Sequence, residues 1–280
     1  MARELSLSIL ETDETKAMLA EKYSSIIDDI EKTTISAQLK NTELSGDPDS
    51  GSVEAKRMAN TDSEEYGTAR SGGKGKNIKA TSVTVNSDTN REIINEVEEK
   101  DLRLYGVKGF IDKKAESNKR SMKRELERAF FKCANTEGTA ATLKASPINE
   151  KVEELIQLIE TTENEYVDGV ERDLINVICS PAVYGQLRNF LDTGTNNANV
   201  DTSEEECGMF HKVKVRSSVY LPEKVDMIGM CTGSVAQPVS ISIDEPGKIP
   251  LSDAYHFGLF FYYGTKAVMP DLIYTVASAA

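Results

Sequence analysis

Between Gly46 and Lys79 the chain runs for 34 residues with only four large apolar side chains, Val53, Met58, Tyr66 and Ile78, and with six glycines. Such a stretch cannot bury enough apolar surface to offset the entropy of ordering it. A structureless loop of that length is also uncommon inside a compact domain. It is therefore a linker, or an arm ordered by contact with another surface. The residues that follow favour the arm. Ile78 to Val85 alternates as a strand, with Ala80, Ser82 and Thr84 on one face and Val83 and Val85 on the other. The polar stretch then reads as the tip of a long hairpin. Its end is basic: Arg70, Lys74, Lys76 and Lys79 occur without a single carboxylate among residues 70 to 79. These four are the candidate contact residues, and an acidic surface is their expected partner.

The chain as a whole has the opposite sign. Its 33 Lys and Arg stand against 46 Asp and Glu, a formal net charge of -13. A protein built to grip DNA tightly concentrates positive charge, so that class is excluded. The 280 residues allow one large or two small domains with a buried core. No apolar run approaches the ~20 residues of a membrane helix; the longest, Phe257 to Tyr263, is strand-sized. Glu4, Glu11, Asp13 and Glu14 leave no room for an export signal, which implies synthesis in the cytoplasm. Cys133, Cys179, Cys207 and Cys231 are tens of residues apart, with no CxxC pair and no His at ligand spacing. Neither disulfides nor a metal site are expected, and Cys133 and Cys179 read as small core residues.

Leu5, Leu7, Ile9 and Leu10 form a short apolar anchor, and helical spacing from Met18 to Ile30 predicts a helix from about Thr15 to Lys32. Residues 91 to 108 read as a strand and a helical turn. The strongest local signal is the narrow stripe Ile111, Ala115, Met122, Leu126, Ala129, Phe130 and Cys133. It predicts one helix from Ile111 to Ala134, ~36 Å long, capped by Asp112 and ended near Asn135 before Gly138. Its other faces carry eight Lys and Arg, from Lys113 to Lys132, against Glu116, Glu125 and Glu127. They are a solvated face, or they lie near an acidic surface, another subunit or nucleic acid. A polar hinge follows from Thr136 to Pro147. Residues 149 to 170 are expected to form an acidic amphipathic helix, Leu174 to Cys179 a buried strand, and Ser180-Pro181 the start of another helix. Asp192 to Cys207 is a second polar loop. Val213, Val215, Val219 and Leu221 alternate, and the last fifty residues read as a β-meander.

Catalytic motifs fail one by one. Gly72-Gly-Lys-Gly-Lys76 lacks the first Gly and the final hydroxyl of a phosphate loop, and no buried strand precedes it. Ser71-Gly-Gly-Lys74 lacks the partner motifs of SxxK enzymes. His211 and His256 are too far apart in sequence to read as a ligand pair, and no GxSxG occurs. Glu204-Glu-Glu206 lacks the Gly-centred loop of a calcium site. No catalytic residue, cofactor or metal is expected.

The order of elements resembles the major capsid proteins of tailed bacteriophages, the Hong Kong coliphage type, whose α+β fold is shared with encapsulins and herpesvirus capsid floors. Local phrases carry the resemblance: Val97-Glu-Glu-Lys-Asp101 before Gly106-Val107, Ser180-Pro-Ala-Val-Tyr-Gly-Gln-Leu187, Gly208-Met-Phe210, Val213-Lys-Val215, Leu221-Pro222, Val235-Ala-Gln-Pro238 and Tyr263-Gly-Thr265. The resemblance implies an N-terminal arm (1–45), an extended hairpin loop (46–92) and a peripheral domain (93–148) with a spine helix (111–134). An axial domain (149–238) and return strands (239–280) complete it. It also implies self-assembly through pentamers and hexamers into an icosahedral head around double-stranded DNA. The implied partners are a separate scaffolding protein and a portal protein; no membrane is involved. The place is the virion, assembled in the host cytoplasm. The alternatives are an encapsulin-type compartment holding cargo, and a nucleotide-binding enzyme using the Gly72–Lys76 loop. Covalent cross-linking through Lys74, Lys76 or Lys79 is not implied, because no matching Asn or catalytic carboxylate is identifiable.

Overall fold

A computed structural model describes residues 13–61, 78–98, 100–101, 107–193 and 209–278. Helix α1 (Asp13–Thr33) is followed after one residue by α2 (Ile35–Leu39). Thr34 breaks the run: its backbone is extended, and its hydroxyl accepts from the Ala37 N–H at 3.2 Å as an N-cap. Strand β1 (Leu44–Ser45), β2 (Ser52–Met58) and β3 (Ala80–Asn86) form an antiparallel sheet in that order. So part of the polar stretch is a true strand. Val53 and Ala55 of β2 and Val85 of β3 are buried against Ala236 and Val268, which supplies the apolar contact the stretch lacks in itself.

Strand β4 (Thr89–Glu98) leads to the long helix α3 (Val107–Glu137), 31 residues against the 24 expected. Asp112 lies inside it rather than at its cap and pairs with Lys22 of α1 at 3.1 Å. The expected polar hinge is partly ordered: β5 (Thr139–Ala140) runs parallel to the last strand. Helix α4 (Ile148–Glu160) ends ten residues earlier than expected. Tyr166 does not continue its apolar face. Residues 163–168 instead form a tight hairpin of β6 (Glu163–Asn164) and β7 (Val167–Asp168), where the Asn164 side chain accepts from the N–H groups of Tyr166 and Val167. Asn favours such turns because its side chain substitutes for a backbone partner.

Strand β8 (Ile175–Cys179) is buried at every position, and its one polar residue, Asn176, donates to the Thr232 hydroxyl at 3.0 Å. Helix α5 (Pro181–Thr193) begins at proline, with the Ser180 hydroxyl facing the Val183 N–H at 3.4 Å. Then come β9 (Met209–Phe210), β10 (Val213–Ser217), β11 (Val225–Cys231) and β12 (Val235–Ala236). The alternation past Ser217 is not a strand, and Val219 is 70% exposed. The chain ends with β13 (Val239–Lys248), β14 (Ala254–Tyr263), β15 (Lys266–Ala267) and β16 (Ile273–Ala277). These do not form a meander. They divide among three sheets, because β15 pairs with β12 and β16 with β11 and β5 rather than with one another or with β14.

Two layered cores result. In the first, the sheet β13-β14-β4 turns Tyr255, Phe257, Leu259, Phe261 and Tyr263 inward. They meet Leu19, Tyr23, Ile26 and Ile30 of α1 and Ile111, Ala115, Met122 and Leu126 of α3. In the second, the mixed sheet β5-β16-β11-β8-β10-β9 carries α4 and α5 on one face. Its other face meets Phe130, Phe131, Cys133 and Ala134, the last turns of α3. Cys133 and Cys179 are core residues, as expected, and so is Cys231.

Two positions test this packing. A Cβ on Gly258 would lie 2.2 Å from the Ile93 carbonyl oxygen and 2.9 Å from the Ile94 Cα, both backbone atoms. Gly258→Ala is expected to cost about 3 kcal/mol by overpacking, measured by denaturant unfolding of the subunit. Glu127 of α3 is 1% exposed and accepts from the Ile35 N–H at 2.9 Å. Burial raises its carboxyl pKa above the ordinary range, although the Ile35 hydrogen bond opposes the shift. The folded state therefore disfavours the charged form. Glu127→Gln keeps the acceptor and removes the charge, so it should raise Tm at neutral pH. The gain should vanish below the unfolded carboxyl value of ~4.3.

Candidate assembly surfaces

The inward face of the β2–β3 hairpin changes character along its length. At the root it is Val53, Ala55 and Val85; further out it is Arg57, Thr81 and Lys79. The Arg57 guanidinium donates to both carboxylate oxygens of Asp271, at 2.6 and 2.7 Å, and lies 4.5 Å from the Tyr166 ring centroid. The Asn164 amide donates to the same carboxylate at 2.5 Å. Thr81 and Tyr166 share a hydroxyl hydrogen bond of 2.6 Å. Asn60 reaches Asp168 with its amide at 3.2 Å, and its backbone N–H donates to the Glu165 carbonyl at 3.1 Å. The stem is thus clasped to the β6–β7 hairpin and to the turn at Pro270–Leu272 by polar groups. Burial works against the charge on Asp271, but the hydrogen bonds from Arg57 and Asn164 and the Arg57 charge outweigh it and hold the carboxyl below its usual range.

Of the four expected contact residues, Arg70, Lys74 and Lys76 lie outside the described residues. Lys79 pairs with Glu165 of its own chain at 2.7 Å, an exposed contact that raises the amine pKa chiefly through that hydrogen bond. Exposed pairs of this kind contribute little stability. Residues 149 to 173, with nine carboxylates, are one candidate for the acidic surface expected to receive the tip, and part of them is committed internally. Arg172 donates to Glu153 at 2.5 Å and to Glu160 at 2.6 and 3.0 Å. His211 stands 2.8 Å from Glu153. The Arg172 hydrogen bonds, with that of His211, bring the Glu153 carboxyl down to about 2 against the cost of burial. Glu154 accepts from the N–H groups of Lys144 and Ala145. Sequence reasoning passed over Arg57 and Asp271. The signal was present: a charged residue at the third inward position of the alternation Val53, Ala55, Arg57 requires a partner.

Among the described residues no three His, Cys, Asp or Glu side chains converge as metal ligands do. A 640 Å³ cavity is lined by Glu96, Glu98, Asp101, Lys114, Ser252 and Asp253, and the Ser252 hydroxyl there accepts from the Ala254 N–H at 3.1 Å. No described helix is long and apolar enough to cross a membrane.

No family model matches the sequence, and no curated protein does. Solved structures do match. A chain of Mycobacterium phage Che8 aligns with a TM-score of 0.61 at 15% identity, over 87% of this chain and 91% of that one. The capsid of cyanophage P-SCSP1u gives 0.61 at 11% identity, over 89% of each. The fold is that of tailed-phage capsid proteins. The virus-like particle from Pyrococcus furiosus gives 0.58 at 13% identity, over 92% of this chain and 98% of that one. The capsid fold extends over nearly the whole length of these chains, so it takes in both cores and not one module of them.

The clasp makes a prediction within this capsid fold. Charged bidentate hydrogen bonds contribute about 1.5–3 kcal/mol. Arg57→Met should therefore speed hydrogen exchange at Ala59 and Thr81 by about tenfold or more, while Val53 and Val85 stay protected. Acid should do the same. A lowered carboxyl stabilises above the ordinary Asp value of ~3.9 and ceases to do so as the pH falls through its folded value. Equal exchange in the variant and the parent would show that the clasp holds nothing.

Proposed function

We propose that this protein is the coat subunit of an icosahedral shell, built through pentamers and hexamers, that encloses double-stranded phage DNA. The observation that supports it is the capsid fold along nearly the entire chain, shared with the capsid of cyanophage P-SCSP1u. In this reading the subunit is structural and performs no catalysis. Residues 1–45 are its arm, 46–92 its extended hairpin, 93–148 its peripheral domain, 149–238 its axial domain, and 239–280 the return strands of the two domains. Arg70, Lys74 and Lys76 at the hairpin tip meet a neighbouring subunit. A separate scaffolding protein guides assembly, a portal protein occupies one vertex, and the net charge of -13 keeps the shell from adhering to the DNA it receives. Assembly takes place in the host cytoplasm and the product is the virion.

The similar score of the Pyrococcus furiosus virus-like particle supports a second reading, a compartment that holds cargo. The contents separate the two. Expression with the scaffolding protein, followed by negative-stain electron microscopy, is expected to show closed shells. In infected cells those shells should hold nuclease-resistant double-stranded DNA. A subunit that stays monomeric at high concentration with scaffold would overturn the coat reading. Shells filled with a protein and no DNA would favour the compartment. Within the coat reading, Arg70→Glu with Lys74→Glu should lower shell yield at least tenfold with the subunit's Tm unchanged; normal particles would remove the tip from the contact.

A further inference from the structure

Helix α3 carries a row of cations that its own chain leaves unanswered. Arg120, Arg124, Arg128 and Lys132 recur at every fourth position, and all four are exposed. The row spans about 18 Å at the helical rise of 1.5 Å per residue. Among the described residues none of the four makes an ion pair or donates a side-chain hydrogen bond. Asp88 and Glu137 line the same cavity as Arg128 and Lys132 but pair with neither, and Glu137 accepts from the Ala267 N–H. Glu125 takes Arg91 and the Tyr263 hydroxyl, and Glu127 is buried under α2. Glu116, four residues before Arg120, makes no ion pair with it. Lys119 shows the contrast: it is turned toward α1 and pairs with Asp29.

An exposed row of charge is often only solvated. Here two further features give it a partner. The chain carries -13 in total, so the residues other than these four carry -17 (-13 minus +4). Copies of such a chain repel one another except where a cationic strip meets carboxylates. The second feature is the outward face of β4. Glu92 and Glu96 are exposed there and form no ion pair among the described residues. Between them stands Ile94, 43% exposed; Tyr262, 38% exposed, stands on the adjacent strand opposite Asn90, two residues before Glu92. Glu92 and Glu96 are four strand residues apart, ~13 Å. Arg124 and Lys132 are eight helix residues apart, ~12 Å. The aliphatic stems of the arginines can cover Ile94, and a guanidinium can stack on Tyr262.

We infer that the Arg120–Lys132 row of one subunit docks on the Glu92–Ile94–Glu96 face of a second copy. Within one subunit the row cannot reach that face. Arg91, on the inward face of β4, reaches Glu125 of α3, so the row and the outward face of β4 lie on opposite sides of one layer. The contact is therefore head-to-tail, the kind that generates rings when its rotation closes. The inference rests on the coat-subunit reading.

The test is a charge exchange. Arg124→Glu with Arg128→Glu, and separately Glu92→Arg with Glu96→Arg, should each lower shell yield at least tenfold while circular dichroism and Tm of the subunit stay unchanged. The fourfold variant should restore shells. Normal yield from the first pair overturns the proposal. Loss that the fourfold variant does not restore overturns it too, and places the partner of the row elsewhere. Normal shells that fail to retain DNA would make the row a nucleic-acid surface instead. If the unaltered chain forms no shells under any condition, the coat reading falls and the docking inference falls with it.

Discussion

The structure depends on one helix being shared by two cores. Ile111, Ala115, Met122 and Leu126 of α3 close the core under the β13-β14-β4 sheet. A turn further on, Phe130, Phe131 and Ala134 enter the core under the six-stranded sheet. Because each set is fully desolvated, neither sheet can shift along the helix without exposing aromatic and aliphatic surface, at ~25 cal/mol per Å². The helix is therefore a rigid bar that fixes the distance between the two layered units. The N-terminal helices are fastened to the same bar by Tyr23, whose hydroxyl accepts from Asn118 at 3.0 Å, and by the Glu127 contact with Ile35.

Much of this was legible in the residues. The stripe from Ile111 to Cys133 has a helical period that no strand could use, and the short run after Asp173, apolar but for Asn176, marks a buried strand, which begins at Ile175 and leaves Leu174 52% exposed in the turn before it. Ser180-Pro181 marks a helix start by its chemistry. What was not legible depends on distant partners. Residues 161 to 170 keep enough apolar side chains to extend a helical face, yet Asn164 diverts the chain into a hairpin that the β2–β3 stem then covers. The last strands look like neighbours in sequence, but β16 is drawn away by β11 and β5. The site was legible only in outline. Lys79 is placed, and its partner is Glu165 of its own chain. Within the acidic residues 149 to 173, Arg172 takes up Glu153 and Glu160, two of nine carboxylates.

Apolar and polar contacts are used for different purposes. The two cores and the root of the hairpin are apolar, and they decide the fold. The contacts that orient parts against one another, Arg57 with Asp271 and Arg172 with Glu153 and Glu160, are charged and only partly buried. Such contacts can open without exposing apolar surface, and they respond to salt and acid as the cores do not.

The hairpin stem therefore behaves as a lever. Its fulcrum is the apolar pin at Val53, Ala55 and Val85, and Met58 lies ~17 Å along the strand from Val53. A rotation of five degrees at Val53 displaces Met58 by about 1.5 Å, and the displacement grows with reach. If the hairpin meets a neighbouring subunit, as the coat-subunit proposal has it, hydrogen bonds of about 3 Å would not tolerate that error. Arg57 and Asn60 engage the outer half of the strand, where a stay on a mast has the most leverage, so a few polar bonds suffice to aim what the hydrophobic pin alone would leave free to swing.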